Sequence, residues 1–461
     1  MLPMSRREFL LGSAITATAF AGGGLAATRA NAADLRLPVS ALTHSILPDT
    51  VTKGMMGFGT AGPAPILRMR QGERFTVDVV NDLDEATVVH WHGLRVANEM
   101  DGVPYLTQNP IEPGENFRYT LVPPDAGTFW YHPHCNTLAQ MARGLTGVLV
   151  VEEAEDAGFD QDLVLNIRDF RLGGDGQFLK LFKPRNAARG GTLGTVSTVN
   201  WEIAPTYDLP AGSLVRLRLA VTDLTRIGTY SLSGANAQVI ALDSNPLPQP
   251  IAPRDLIIAP GQRADIALRV PDTEEQTVTL SLQTQKGPKT LATLRPTGAS
   301  AKRSLAELKP LAPNPVPDAD LAKAETVEFV FGWSPQGDAP LPSICGSLGY
   351  TFWSINRVAW QGDVPSPIDP LAVLKQGRPY ILRFRNESPN AHPIHLHGHS
   401  FKLLRSNKRA LPPLVTDTVL LQKEETLEVA LIADNPGNWA FHCHVIEHQK
   451  TGLTGYIRVE A

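Results

Sequence analysis

Eleven of the twelve histidines fall in four short segments. His90 and His92 lie in "HWHG", and His132 and His134 in "WYHPH". "HPIHLHGH" carries His392, His395, His397 and His399, and "HCHVIEHQKTGL" carries His442, His444 and His448; only His44 stands apart. A single His-x-His is most simply a strand with two hydrogen-bonded imidazoles on one face. Four such pairs in one chain require a shared cause. Residues i and i+2 of a strand share a face, so each pair presents two imidazoles in one direction. Four pairs give eight imidazole nitrogens with no carboxylate in the spacing, which suits copper better than magnesium or calcium. Zinc stays open, but a structural zinc site closes with four ligands, so eight imply several metals.

Cys443 sits between His442 and His444. Strand alternation turns its thiol to the opposite face, where His448 and His392 can join it. A thiolate with two imidazoles is a trigonal blue-copper donor set. One strand would thus touch two metal sites, one on each face, and the covalent backbone between them would be a short path for electrons.

These residues need strands to position them, and the sequence repeats one strand pattern. Gly72 is followed at +3, +5 and +7 by Phe75, Val77 and Val79; Gly212 by Val215, Leu217 and Leu219; and Gly377 by Tyr380, Leu382 and Phe384. Period-two alternation after a turn glycine predicts a half-buried strand. At +18 and +20, Gly72 leads to His90 and His92 and Gly377 to His395 and His397, whereas Gly212 leads to Tyr230 and Leu232. His132 and His134 follow Gly127 at +5 and +7, as His442 and His444 follow Gly437, and both copies run on to "GLTG" and an alternating strand. The expectation is an all-β chain of three consecutive Greek-key β-sandwich domains. The first spans about 34–155 and the second, without ligands and acting as a spacer, about 160–297. A Pro- and Ala-rich linker covers 298–325, and the third domain 326–461.

Composition fits many turns and short strands, with 38 Gly, 38 Pro and only 19% charged residues. A formal charge of −4 gives no reason to expect nucleic acid as a partner. Three cysteines are too few for a disulfide scaffold or a zinc ribbon. Residues 1–32 read as a twin-arginine export signal: Arg6 and Arg7, a glycine-interrupted apolar run, then "ANA" at 30–32. Such export carries folded proteins, as insertion of a cofactor before transport would require. No later apolar run is long enough to span a bilayer.

Taken together, "HWHG", "WYHPH", "HPIHLHGH" and "HCHVIEHQKTGL" make the chain resemble a three-domain multicopper oxidase of the laccase type, over essentially all of it beyond the export signal. The resemblance implies cupredoxin-like domains and four copper ions. It also implies one-electron oxidation of a substrate at a type 1 copper, coupled to reduction of dioxygen to water at a trinuclear cluster. Carried over, His392, Cys443 and His448 would hold the type 1 copper, and His90 and His395 the type 2 copper. His92, His132 and His444 would hold one type 3 copper, and His134, His397 and His442 the other. Asp101, in "EMDGVP", resembles the family's proton-delivering acid near the type 2 copper; a turn aspartate before Gly102 is the plainer alternative. His399 matches no ligand position and is expected behind the ligands.

Two positions depart from the pattern. Leu453 stands ten residues after Cys443, where many bacterial relatives carry an axial methionine, so the type 1 copper should be three-coordinate with a raised potential. Gln449 stands where several bacterial relatives carry an acid near the substrate, so the resemblance does not carry over how a phenol would be deprotonated there. The reductant is expected to be a phenol or aromatic amine. Cuprous ion is the second candidate, disfavoured because all seven methionines lie at or before Met141. A non-enzymatic envelope protein of the same fold is the remote third. The twin-arginine translocase would be a partner during export, the periplasm the destination, and the working form a monomer not embedded in a membrane. Cys135 and Cys345 could form a disulfide between the first and third domains or remain buried thiols.

Overall fold

The computed structural model describes residues 35–335, 339–365 and 368–461; the export signal read over 1–32 lies outside the described residues. Among the described residues, thirty strands assemble into six sheets that pair in chain order. Two four-stranded sheets come from residues 35–152, a six- and a five-stranded sheet from 161–297, and another six- and five-stranded pair from 325–460. The fold is three consecutive cupredoxin-like β-sandwich domains. Among the described residues no helix is long and apolar enough to cross a membrane.

The turn glycines of the repeat share one conformation. Gly72, Gly212 and Gly377 have φ of 76°, 65° and 76°, a left-handed turn that glycine enters without steric cost. In the first and third copies the following strand alternates as expected, with Phe75, Val77 and Val79, and Tyr380, Leu382 and Phe384, buried in their own cores. Burying one such side chain is worth about 1.5–3 kcal/mol.

The middle copy differs. Every residue of Leu214–Val221 is buried, including Arg216 and Arg218. Arg216 pairs with Asp265 and Glu153, each at 2.6 Å, and Arg218 with Asp162 at 3.0 Å. Thr128 of the first domain donates to Asp265 at 2.6 Å and accepts from Arg218. The polar face that "LVRLRLAV" presents is therefore an interface with the first domain, where buried charge is tolerated because it is paired.

The histidine strands use their two faces differently. Val89–His92 pairs with Gly127–Pro133, placing His90 opposite His132, and His392–Leu396 pairs with Gly437–Cys443, placing His395 opposite His442. Trp91 and Tyr131 alternate with histidines and fill the first core; Phe441 and Cys443 do so in the third. The imidazoles occupy the opposite faces, where the first and third domains meet. A bond between Cys135 and Cys345 joins these two domains beside His134.

Candidate metal centre

Two buried donor clusters lie either side of Cys443. Its Sγ is 3.6 Å from Nδ1 of both His392 and His448, and those two nitrogens are 3.1 Å apart. Strand His392–Leu396 supplies His392, and the short helix Ile446–Lys450 supplies His448. The ring edges facing away from sulfur are fixed: Nε2 of His392 lies 2.8 Å from Ser388 Oγ, and Nε2 of His448 donates to the Arg189 carbonyl at 2.6 Å. Such partners settle which ring nitrogen faces the metal position. Burial pushes the Cys443 thiol pKa up and lowers His448 to about 4. Without a cation, the site is held as a neutral thiol with neutral imidazoles, and a metal would have to displace the thiol proton.

The second cluster contains His90, His92, His132, His134, His395, His397, His442 and His444, all buried. Five of them share an orientation. Nδ1 of His90 is 2.8 Å from the Asp101 carbonyl, that of His132 3.0 Å from the Pro133 carbonyl, and that of His442 3.0 Å from the Cys443 carbonyl. Nδ1 of His395 is 2.9 Å from the Asp417 carbonyl, and that of His397 2.9 Å from Asp101 Oδ2. Each ring therefore turns Nε2 inward. His134, His397 and His442 converge, with Nε2 of His442 3.0 Å from that of His397 and 3.4 Å from that of His134. His90, His395 and His397 form a second trio, and His90, His92 and His132 a third. The ring of His444 lies 4.9 Å from that of His92 and 5.4 Å from that of His132.

These nitrogens fit a metal. Nε2 of His90, His132 and His395, Nδ1 of His92 and His134, and both nitrogens of His444 are buried without a hydrogen-bond partner. So many orphaned polar atoms would be costly in a finished core. Burial, followed by repulsion between neighbouring rings, pushes the pKa values of His132, His134 and His442 down, that of His442 to about 3. These three rings are neutral, with lone pairs free for a cation.

Asp101, 1% exposed, spans two rings: Oδ2 faces His397, and Oδ1 lies 3.3 Å from Nδ1 of His90. Gln449 is buried, and its Nε2 lies 3.0 Å from Nε2 of His134, at the eight-imidazole cluster. The short helix explains the change of side, because consecutive residues His448 and Gln449 point to different clusters. His399 sits behind the ligands, 3.2 Å from the His397 carbonyl and with its ring 5.5 Å from that of Trp439. Leu453 is buried in the same apolar cluster as Cys443, and its carbonyl accepts from the Cys443 amide at 3.1 Å.

Sequence reasoning missed Asp417, whose Oδ1 is 3.3 Å from His92 Nε2 and 3.5 Å from His395 Nδ1. It also missed Arg263, which grips Asp417 from the middle domain. Burial pushes Asp417 upward, but Arg263 and hydrogen bonds from His395 and His92 hold it well below the usual carboxylate range. Gly261, with φ of 92°, leaves room where a Cβ would come within 3.0 Å of His444 and 3.1 Å of His92. The middle domain is thus more than a spacer: it supplies no imidazole but shapes the wall of the cluster. The only local signal was a lone acid in the apolar run "VTDTVLL"; nothing near Arg263 marks it.

Comparison with known proteins agrees with this geometry. The family profile described as multicopper oxidase matches residues 41–156, and a second profile of the same description matches 345–461. A solved multi-copper oxidase from Pseudomonas thermotolerans superposes with a TM-score of 0.83 at 41% identity, covering 93% of this chain and 99% of that one. The multicopper oxidase MmcO of Mycobacterium tuberculosis is 29% identical over 86% of this chain and 81% of its own length. The laccase of Pycnoporus cinnabarinus is 26% identical over 90% and 88%. With profiles on both histidine-bearing domains and a structural relative along nearly its whole length, the chain belongs to the multicopper oxidase family.

Proposed function

We propose that the protein is a laccase-like oxidase that draws single electrons from phenols or aromatic amines and passes them to dioxygen. The observation that carries this reading is the position of Cys443. Its Sγ belongs to one donor cluster, and its covalent neighbours His442 and His444 belong to the other. We assign His392, Cys443 and His448 to a type 1 copper, and His90 and His395 to a type 2 copper. His92, His132 and His444 would hold one type 3 copper, and His134, His397 and His442 the other, four ions in all. Copper bound there supplies one-electron acceptance at the thiolate end and dioxygen reduction at the imidazole end.

The chain's own residues do the rest. Cys443 and its flanking peptide bonds join the two clusters without a through-space gap. Ser388 and Arg189 hold the His392 and His448 rings so that Nδ1 faces sulfur. Asp101 is placed to carry protons, because its carboxylate touches two rings of the dioxygen-side cluster and is shielded from bulk water. Leu453 offers hydrocarbon where a thioether would coordinate. Export by the twin-arginine route and a periplasmic, monomeric working form complete the reading.

An organic donor is favoured over cuprous ion by the cover of His448. The segment over its outer edge carries Lys183, Arg185 and Arg189, all exposed, and no methionine. Fixed positive charge there opposes the approach of a small cation. Oxygen uptake by copper-loaded protein tests the proposal with a methoxyphenol or stabilised Cu(I) as donor. Faster uptake with the phenol is expected. Preference for Cu(I) would move the function to metal oxidation, and no uptake with either at full copper occupancy would refute an oxidase.

A further inference from the structure

The three residues assigned to the type 1 copper are sealed from solvent. His392, Cys443 and His448 are all 0% exposed, and the outer edges of both rings are occupied by Ser388 and the Arg189 carbonyl. A donor in solution cannot touch either imidazole, so its electron must cross protein. One aromatic path does this in two ring contacts. Trp353 is fully buried, with its ring 4.7 Å from that of His448 and 5.1 Å from that of His392. Trp333 lies opposite Trp353 in the antiparallel pairing of Glu325–Trp333 with Trp353–Ile355. The two indoles stack face to face at 4.3 Å and 15°, and Trp333 is 44% exposed.

Cross-strand aromatic pairs commonly serve packing alone. Packing accounts for Trp353, which fills the core and donates its Nε1–H to the Ala187 carbonyl at 2.9 Å. The outer indole covers one face of Trp353 and leaves its own other face open to solvent, where a flat aromatic donor can stack.

We propose that Trp333 is an electron port for aromatic donors, in particular phenols carried on a polymer, with Trp353 as the bridge to the imidazoles. The inference rests on the oxidase reading. A phenol ring stacks on the exposed indole, loses one electron through the indole pair and one proton to water, and leaves as a phenoxyl radical. Four such donors supply the electrons, and solvent the protons, that turn one dioxygen into two waters. Neither indole is consumed.

The test uses the copper-loaded protein and a soluble dextran bearing methoxyphenol groups. Under anaerobic stopped flow, the polymer should bleach the blue absorption of the wild type, and Trp333→Leu should slow that step by about tenfold or more. Trp333→Tyr, which keeps a stacking ring, should recover most of the rate. In the copper-free protein, the same polymer should quench tryptophan emission, and Trp333→Leu should lose most of that quench. Trp333→Leu should keep its blue absorption, since Trp333 touches none of His392, Cys443 and His448. Equal bleaching rates in wild type and Trp333→Leu would overturn the port while leaving oxygen uptake intact. A protein that takes up no oxygen with any donor would instead overturn the oxidase reading, and the port with it.

Discussion

Arg263 holds Asp417 by both terminal nitrogens, Nη1 to Oδ1 at 2.9 Å and Nη2 to Oδ2 at 2.6 Å. The pair lies across the boundary between the middle and third domains and is buried on both sides. Asp417 in turn reaches His92 of the first domain and His395 of the third. One ion pair therefore ties all three domains together at the wall of the imidazole cluster.

Arg263→Met would leave the Asp417 carboxylate buried and unpaired, which typically costs about 3–5 kcal/mol. We expect the copper-free variant to unfold at correspondingly lower denaturant and the loaded variant to bind fewer copper ions. Arg263→Met combined with Asp417→Asn should recover part of the stability, because only Asp243, 3.3 Å from Arg263, is then left as a bare charge. A single variant as stable as wild type would show that the pair does not organise the domains.

Cys443→Ser removes the only free thiol among the described residues. The blue absorption of the loaded protein should vanish, because it requires a copper–thiolate bond. The eight imidazoles are untouched by this change, so most of the bound copper should remain by metal analysis. Retention of colour would refute the assignment of His392, Cys443 and His448.

Much of this architecture was legible in the sequence because strand periodicity carries chemistry and folding in the same register. Trp91 and Tyr131 announce the core face, and the histidines beside them announce the other face. What stayed hidden depends on contacts between distant segments. The repeat predicts a half-buried strand at Leu214–Val221, yet Arg216 and Arg218 are buried as well, because the partners that neutralise them, Asp265, Asp162 and Glu153, come from other strands or the preceding segment. Arg263 and Asp417 are 154 residues apart. The contact of Gln449 with His134 was not legible, because the single turn of helix after Cys443 decides which cluster each side chain meets, and strand alternation says nothing about a helix.

Asp101→Asn keeps the shape of the side chain but removes its capacity to take up a proton. Reoxidation of the fully reduced, copper-loaded variant by dioxygen should slow by about 10²–10⁴-fold, the range for losing a positioned acid–base group. Anaerobic bleaching of the blue absorption should be unchanged, since Asp101 touches His90 and His397 but not Cys443, His392 or His448. Equal slowing of both half-reactions would mean the substitution disturbs the whole fold.

The bond between Cys135 and Cys345 spans 210 residues of sequence and joins the first domain to the third. Replacing both cysteines with serine should lower stability by about 2–4 kcal/mol, because the unfolded chain gains freedom that the link denies it. A non-reduced proteolytic digest should yield the two peptides as one linked mass in the wild type. Two unlinked peptides would show that the thiols stay free.

Leu453→Met tests the far side of the type 1 position. The leucine is buried in the cluster that includes Cys443 and Trp353, and its backbone is bonded to both Cys443 and His448. Leucine and methionine are close in volume, so the swap should cost less than about 1.5 kcal/mol of stability. A thioether, unlike a hydrocarbon, can donate weakly to copper and favour its oxidised form, so the reduction potential should fall. Redox titration of the blue absorption measures this directly. An unchanged potential in a variant of normal stability and colour would place the Leu453 side chain away from the metal and leave the axial face to another group.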